Sequence, residues 1–216
     1  DVCSSDLITI VLVDDHAVVR AGVRRLLEQE PIFEVTGEAE SGEKAYQLFG
    51  ELKPDLMVMD LSMPGMGGLE AIRRILMRYE KAKILVLSMH EDLSFANQAL
   101  KLGAKGYLIK NALGDDLVKS IQAIAKGEIF LSDEIAKKIA MHSIASDQDP
   151  FHDLSAREFE IFRLLAEGLE IDVIAKTLNV SSKTVSNYQT TIKQKLNIST
   201  PIELIRYAIK AGVIKD

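Results

Sequence analysis

The sequence predicts an α/β chain: a doubly wound (βα)5 parallel sheet followed by a small all-α unit of four helices. Three observations predict it. Short apolar runs alternate with helical patterns five times between residues 7 and 127, and such alternation folds as a parallel sheet with helices on both faces. The runs are continuous rather than polar on every second residue, which marks strands buried on both sides. Beyond residue 153 only helical periodicity and capping signals remain.

The elements follow in order. Residues 1–6 have no periodicity and are set aside as a tail. Ile8 to Val13 is a strand that runs into Asp14, Asp15 and His16, and a helix follows with Val18, Val19, Gly22, Val23, Leu26 and Leu27 on one face. Phe33 to Ala39 is a weaker strand, and Glu43 to Leu52 is a helix ended by Pro54. The apolar run 56–59 delivers Asp60 and then a turn through Pro64, Gly65, Gly67 and Gly68. Gly68 to Arg78 is a helix, Ile84 to Leu87 a strand ending at Ser88, and Leu93 to Leu102 a helix stopped by Gly103. Gly106 to Ile109 is a strand ending at Lys110, and Asp115 to Lys126 is a helix stopped by Gly127. Right-handed crossovers make this arrangement doubly wound.

Composition narrows the function classes. Of 216 residues, 47% are apolar and 27% charged, as in ordinary globular proteins. No apolar run approaches the roughly 18 residues of a membrane helix, and no secretory signal pattern opens the chain. The single cysteine excludes an internal disulfide and a cysteine-based zinc site, and the four histidines are scattered without metal-ligand spacing. A cytoplasmic protein with no membrane partner is expected. Net charge is −6, but residues 153–216 hold 9 basic and 8 acidic side chains, and 173–202 hold four lysines and no acid. That stripe is either a solvated helix face or an electrostatic footprint for DNA.

The polar residues at the strand ends carry the chemistry. Asp14 and Asp15 follow the first strand, Asp60 the third, Ser88 the fourth and Lys110 the fifth. The carboxyl edge of an open α/β sheet is where ligands bind. Three carboxylates meeting there repel unless a cation joins them, and hard oxygen ligands with no His or Cys suit Mg²⁺ beside a phosphate. Lys110 supplies a point charge for a phosphoryl oxygen and Ser88 a hydroxyl that can donate to one. No side chain looks placed to activate a separate nucleophile, so a carboxylate is itself the nucleophile, forming an acyl phosphate. Each residue also has a bland reading: the acid pair as a helix start, Ser88 as a cap, Lys110 as a solvated lysine. Four suitable types at four strand ends favour the phosphoryl site.

With those residues in place, 7–127 resembles a response-regulator receiver domain. The matches are the acid pair, Asp60 in MDLSMPGMGG, Ser88, and the lysine of GYLIK. The resemblance implies that Asp60 accepts phosphate from a sensor histidine kinase. It implies Mg²⁺ held by Asp15, Asp60 and the Ser62 carbonyl, with Asp14 acting through water. Ser88 and Tyr107 would be the switch pair, the ring turning inward as the hydroxyl is drawn to the phosphoryl group. Ser62 and His90 would tune phosphate lifetime.

Residues 128–152 read as a short helix capped by Ser132, then a mobile linker from His142 to His152. Ser155 to Glu158 and Thr200 to Glu203 are capping boxes. Between them a helix from Ile171 to Leu178, a turn at Asn179 and a helix capped by Ser181 follow helix-turn-helix logic. The exposed face of the latter carries Ser182, Lys183, Thr184, Ser186, Asn187, Gln189, Thr190, Lys193 and Lys195. Lysines position a helix on the phosphate backbone, and Asn or Gln can pair with adenine. A helical cap that only packs on the sheet domain is the alternative.

Residues 153–211 resemble the LuxR-type helix-turn-helix of NarL/FixJ response regulators, through LSAREFEIFRLLAEG, IAKTLNVSSKTVSNY and IKQKL. Glu170-Ile171, Ser186 and Tyr188 stand where that family commonly has Ser-Asn, Lys and His. The resemblance implies binding of promoter DNA by this helix, with a homodimer when phosphorylated or DNA-bound. The rivals are an aspartyl-phosphate phosphohydrolase, a phosphate-independent DNA binder and a protein adaptor. The first is disfavoured because Ser62 stands where a second acid is often needed.

Overall fold

The computed structural model describes residues 7–89, 93–112, 114–145 and 151–214. Its first part runs β1 (Ile8–Val13), α1 (Ala17–Leu27), β2 (Phe33–Ala39), α2 (Gly42–Leu52), β3 (Leu56–Met59), α3 (Gly68–Arg78), β4 (Ile84–Ser88), α4 (Leu93–Leu102), β5 (Gly106–Ile109) and α5 (Asp115–Ala125). A single 3-10 turn, Lys110–Ala112, joins β5 to α5. All strand pairs are parallel, in the order β2-β1-β3-β4-β5 and then a sixth strand, β6 (Phe130–Leu131). The sequence-predicted parallel sheet is therefore present, with one strand more than expected.

Period-two alternation divides the strand residues between two layers. Ile10, Leu12, Leu56, Val58, Leu85, Leu87 and Leu108 pack with Val23 and Leu27 of α1 and Leu117, Ile121 and Ile124 of α5. Val11, Val13, Met57, Met59, Ile84, Val86 and Tyr107 pack with residues of α2, α3 and α4. Both strand faces are covered, which is why the sequence shows unbroken apolar runs.

Three expectations are corrected. Val18, assigned to the inner face of α1, is 85% exposed; the contact face runs instead through Val19, Val23 and Leu27 at four-residue spacing. The extra strand, β6 (Phe130–Leu131), precedes α6 (Asp133–Ala145). Its two residues carry too little pattern to be read, and it exists because β5 offers a free edge. Ser132 makes no side-chain cap: its hydroxyl is buried without a hydrogen bond.

The second part comprises α7 (Ala156–Ala166), α8 (Ile171–Thr177), α9 (Ser182–Leu196) and α10 (Pro201–Lys210). Both expected capping boxes form, at Ser155/Glu158 and Thr200/Glu203. The expected linker is corrected at both ends. α6 continues to Ala145, and Phe151 is fully buried at the centre of an aromatic cluster, its ring 5.2 Å from Phe159, 5.0 Å from Phe162 and 5.7 Å from Tyr207. Residues 146–150 lie outside the described residues.

The two parts are docked. Phe95 of α4 meets Phe159 of α7 edge-on at 5.1 Å. Gln98 donates to the Phe151 carbonyl at 3.0 Å, Ser94 to that of Ala211 at 3.2 Å, and Lys101 to that of His152. At the β3–α3 turn the Gly65 amide donates to the Thr177 carbonyl at 2.7 Å, and Arg157 donates to the Gly65 carbonyl at 3.3 Å.

Candidate functional site

Sheet order reverses between β1 and β3, because β2 lies on one side of β1 and β3 on the other. That switch point opens a crevice at the carboxyl ends of the strands. Val13 pairs with Met59, so Asp14 and Asp60 leave neighbouring strands at the same level, and the Asp60 amide donates to the Val13 carbonyl at 2.9 Å. Ser88 pairs with Ile109, which brings Lys110 out beside it.

The acids and the lysine meet. Lys110 Nζ lies 2.7 Å from Asp14 Oδ2 and 2.9 Å from Asp60 Oδ2, and all three side chains are 7% exposed or less. Asp60 Oδ1 accepts the Leu61 amide at 2.8 Å. Burial raises the Asp60 pKa above the ordinary carboxylate range; Lys110 and the Ser62 amide oppose that rise, and the Asp14 charge adds to it. Burial works against the charge on Lys110, but the two carboxylates outweigh it and hold its pKa above the usual lysine value.

Asp14 Oδ2, Asp15 Oδ1 and Asp60 Oδ2 are buried and make no hydrogen bond of good geometry. Buried polar oxygens are normally satisfied. Hard oxygens with unused lone pairs around one small space are what Mg²⁺ takes, so the residues fit that ion. One ligand atom from each of Asp14, Asp15, His16 and Asp60 lies within 4.8 Å of the others. His16, dismissed in the sequence for want of spacing, is thus brought to the acids. Its adjacency to the acid pair was the signal.

The other predicted residues fall as follows. Ser88 and Tyr107 are fully buried, and Ser62 is exposed on the turn after Asp60. His90 lies outside the described residues. Two glycines of the turn after Asp60 are required by close approaches. A Cβ on Gly68 would lie 2.1 Å from the Asp60 carbonyl oxygen, so this glycine lets α3 start directly behind the acid. A Cβ on Gly67 would lie 2.0 Å from Glu160 Oε1, so this one makes room for α7.

On α9, Ser182, Lys183, Asn187 and Thr190 are exposed, and Thr184, Ser186, Gln189 and Lys193 are half-buried. Ser181 caps the helix by accepting the Thr184 amide at 3.1 Å. The Ser186 and Thr190 hydroxyls donate back to the carbonyls of Ser182 and Ser186, and Ser182 donates to Asp172 at 2.6 Å. Lys195 is exposed as expected but already engaged: it donates to Glu158 Oε2 at 2.7 Å and to the Asp153 carbonyl at 3.0 Å. It thereby ties α9 to the start of α7. Thr184 and Tyr188 line a cleft of about 440 Å³ whose opposite wall is Glu43, Met66, Glu70, Arg73 and Arg74. Sequence reasoning missed Arg157, Glu160 and this wall, since contacts between distant segments leave no local pattern.

Comparison with known proteins gives the same division. Residues 10–122 match the response regulator receiver domain, and residues 152–208 the luxR family of bacterial regulatory proteins. The response regulator UvrY of Escherichia coli K12 is 37% identical over 209 residues, covering 96% of each chain. The transcriptional regulatory protein DegU of Brevibacillus brevis is 34% identical over 225 residues, covering 96% of this chain and 95% of that one. Among solved structures, the RcsB response regulator of Salmonella typhimurium superposes with a TM-score of 0.73 at 30% identity, over 95% of this chain and 98% of that one. RcsB from Salmonella enterica serovar Typhimurium has also been seen bound to the promoter rprA in the presence of phosphomimetic BeF3−, and matches with a TM-score of 0.68 at 29% identity over 93% of this chain and 98% of that one. Switch-point acids, a paired lysine and a helix-turn-helix in one chain, together with these likenesses, make it a two-component transcriptional response regulator of the NarL/FixJ family, with a receiver domain and a LuxR-type DNA-binding domain.

Proposed function

We propose that Asp60 is the phosphoacceptor and that its state governs access of α9 to promoter DNA. The supporting observation is the buried set Asp14, Asp60 and Lys110 at the switch point, the lysine lying 2.7 Å from one carboxylate and 2.9 Å from the other. An Asp60 oxygen attacks the phosphorus of a phosphohistidine on a sensor kinase. The new bond is O–P; the P–N bond breaks, and the imidazole nitrogen keeps the electron pair and takes up a proton. Asp15, Asp60 and the Ser62 carbonyl would hold Mg²⁺, with Asp14 acting through water, and the ion supplies positive charge between the carboxylates and the phosphoryl oxygens. Lys110 binds a phosphoryl oxygen, and Ser88 and Tyr107 report the change. Apart from transferring the phosphoryl group to itself and slowly hydrolysing it, the chain has no turnover in this reading.

The receiver spans 7–127, the connecting segment 128–152 and the DNA-binding domain 153–216. Docking favours the unphosphorylated state, because Thr184 and Tyr188 of α9 line a cleft shared with the receiver. Phosphorylation must stabilise the undocked form more than the docked one. Released, α9 enters the major groove through Ser182, Lys183, Thr184, Ser186, Asn187, Gln189, Thr190 and Lys193. A homodimer then reads two half-sites about one DNA turn apart. This setting is the cytoplasm; no described helix is long and apolar enough to cross a membrane.

The test is incubation with acetyl phosphate and Mg²⁺, followed by intact mass and selection of bound genomic DNA fragments. One added phosphoryl group, absent in Asp60→Asn, and tighter DNA binding by the modified form are expected. Modification that survives Asp60→Asn, or no salt-dependent DNA binding by either form, would overturn the proposal.

A further inference from the structure

We infer that His16 is a fourth protein ligand at the acidic site and widens its cation preference to transition metals. This rests on the receiver reading above and goes beyond the oxygen ligands that reading names.

His16 is the N-cap of α1, where Ser, Thr, Asp and Asn are favoured because their oxygens accept helix amides. The ring makes no such bond. Asp14 Oδ1 accepts the His16 amide at 2.8 Å, so backbone geometry here is fixed without the ring. The side chain is 66% exposed, yet Nδ1 lies 2.9 Å from Asp15 Oδ1 and 3.3 Å from Asp14 Oδ1. Asp15 Oδ1 is one of the three buried carboxylate oxygens, among the described residues, without a hydrogen bond of good geometry. Ligand atoms of Asp14, Asp15, His16 and Asp60 all fall within 4.8 Å of one another.

Which ring nitrogen carries the proton decides what this geometry means. With hydrogen on Nδ1, the ring donates to a carboxylate and stays outside the metal shell. With hydrogen on Nε2, the Nδ1 lone pair faces two carboxylates, an arrangement that becomes favourable when a cation sits among them. Mg²⁺ gains little from nitrogen, since it prefers oxygen and retains water. Co²⁺, further along the divalent series than Mn²⁺ or Fe²⁺, binds a mixed nitrogen and oxygen site more strongly than they do. His16 therefore selects among ions: its loss weakens Co²⁺ binding and leaves Mg²⁺ binding nearly unchanged.

The experiment is calorimetric titration of the full chain with MgCl2 and CoCl2, for wild type, His16→Ala, His16→Gln and Asp15→Asn. Proton NMR of the Co²⁺ complex reads the ring directly. Expected are Mg²⁺ affinities within about twofold in both His16 variants and Co²⁺ affinities at least about tenfold weaker, the lower end of what losing even an outer-shell partner costs. A paramagnetically shifted imidazole N–H resonance should be present in wild type and absent from both variants. His16→Gln guards against a fold defect peculiar to alanine at the cap. Equal changes for the two ions overturn the inference, as does Co²⁺ binding that survives Asp15→Asn. Mg²⁺ binding with no histidine-dependent Co²⁺ preference removes His16 alone and leaves the receiver reading intact. Absence of Mg²⁺ binding in wild type removes both.

Discussion

Replacing Gly67 with alanine should undock the DNA-binding domain while leaving the receiver folded. The added Cβ would stand 2.0 Å from Glu160 Oε1 and 2.9 Å from its Cδ, closer than any real contact. Glu160 cannot swing aside at no cost, because Arg157 Nη1 holds its Oε2 at 2.8 Å and the two side chains are only 15% and 12% exposed. Burial, partly offset by Arg157 and Arg163, already pushes the Glu160 pKa above its usual value. Displacing the carboxylate forfeits a hydrogen bond between charged groups, about 1.5–3 kcal/mol. Only the docked state bears that cost. Backbone angles at Gly67, φ −63° and ψ 166°, suit alanine, so the receiver itself is unstrained. A penalty of about 2 kcal/mol moves the docked-to-undocked ratio about 30-fold. If only the undocked form binds operator, its apparent affinity without phosphoryl donor rises by up to that factor. Small-angle scattering and fluorescence anisotropy on selected operator DNA measure both effects. Wild-type values for radius of gyration and affinity, in a variant that still melts cooperatively, would refute the reasoning. Adding Glu160→Ala should restore part of the docking, since the clash is then gone.

Further outcomes follow from the same contacts. Lys110→Met leaves the Asp14 and Asp60 carboxylates without their cation, so thermal melting in chelator should show a loss of about 3 kcal/mol, and added Mg²⁺ should recover more stability than in wild type. Lys183→Ala should lower the slope of log affinity against log salt by about one, as a lost phosphate contact does. Lys195→Ala should leave that slope unchanged and lower the melting temperature instead, because the lysine is held by Glu158. Burial raises the Glu158 pKa, but Lys195 and the Ser155 amide outweigh it and bring the value below the ordinary glutamate range. Its stabilising effect is therefore full above the unfolded glutamate value and is lost as pH falls through the folded one. Melting curves of Glu158→Gln should accordingly change less than wild type between neutral pH and about pH 3.

Much of this was legible in the chain because it is local. Apolar runs doubly covered in three dimensions are unbroken in one, so the five receiver strands, the Asp60 turn and the strand-end acids could be read directly. Capping boxes depend on residues three apart, and both appeared as expected. What misled was also physical. Two-residue β6 has no period to read, and Phe151, amid Ser, Asp and Pro, looked like linker although three aromatic rings bury it.

By itself, then, the sequence determined the element order, the chemical types at each strand end and the identity of the two domains, since periodicity, caps and motifs are properties of neighbouring residues. Tertiary structure alone decided which oxygens are left unsatisfied, that His16 points at Asp14 and Asp15, that Lys195 belongs to Glu158, and that Gly67 makes room for Glu160. Those facts depend on distances of a few ångströms between segments far apart in the chain, and such distances are set by packing rather than by any local pattern.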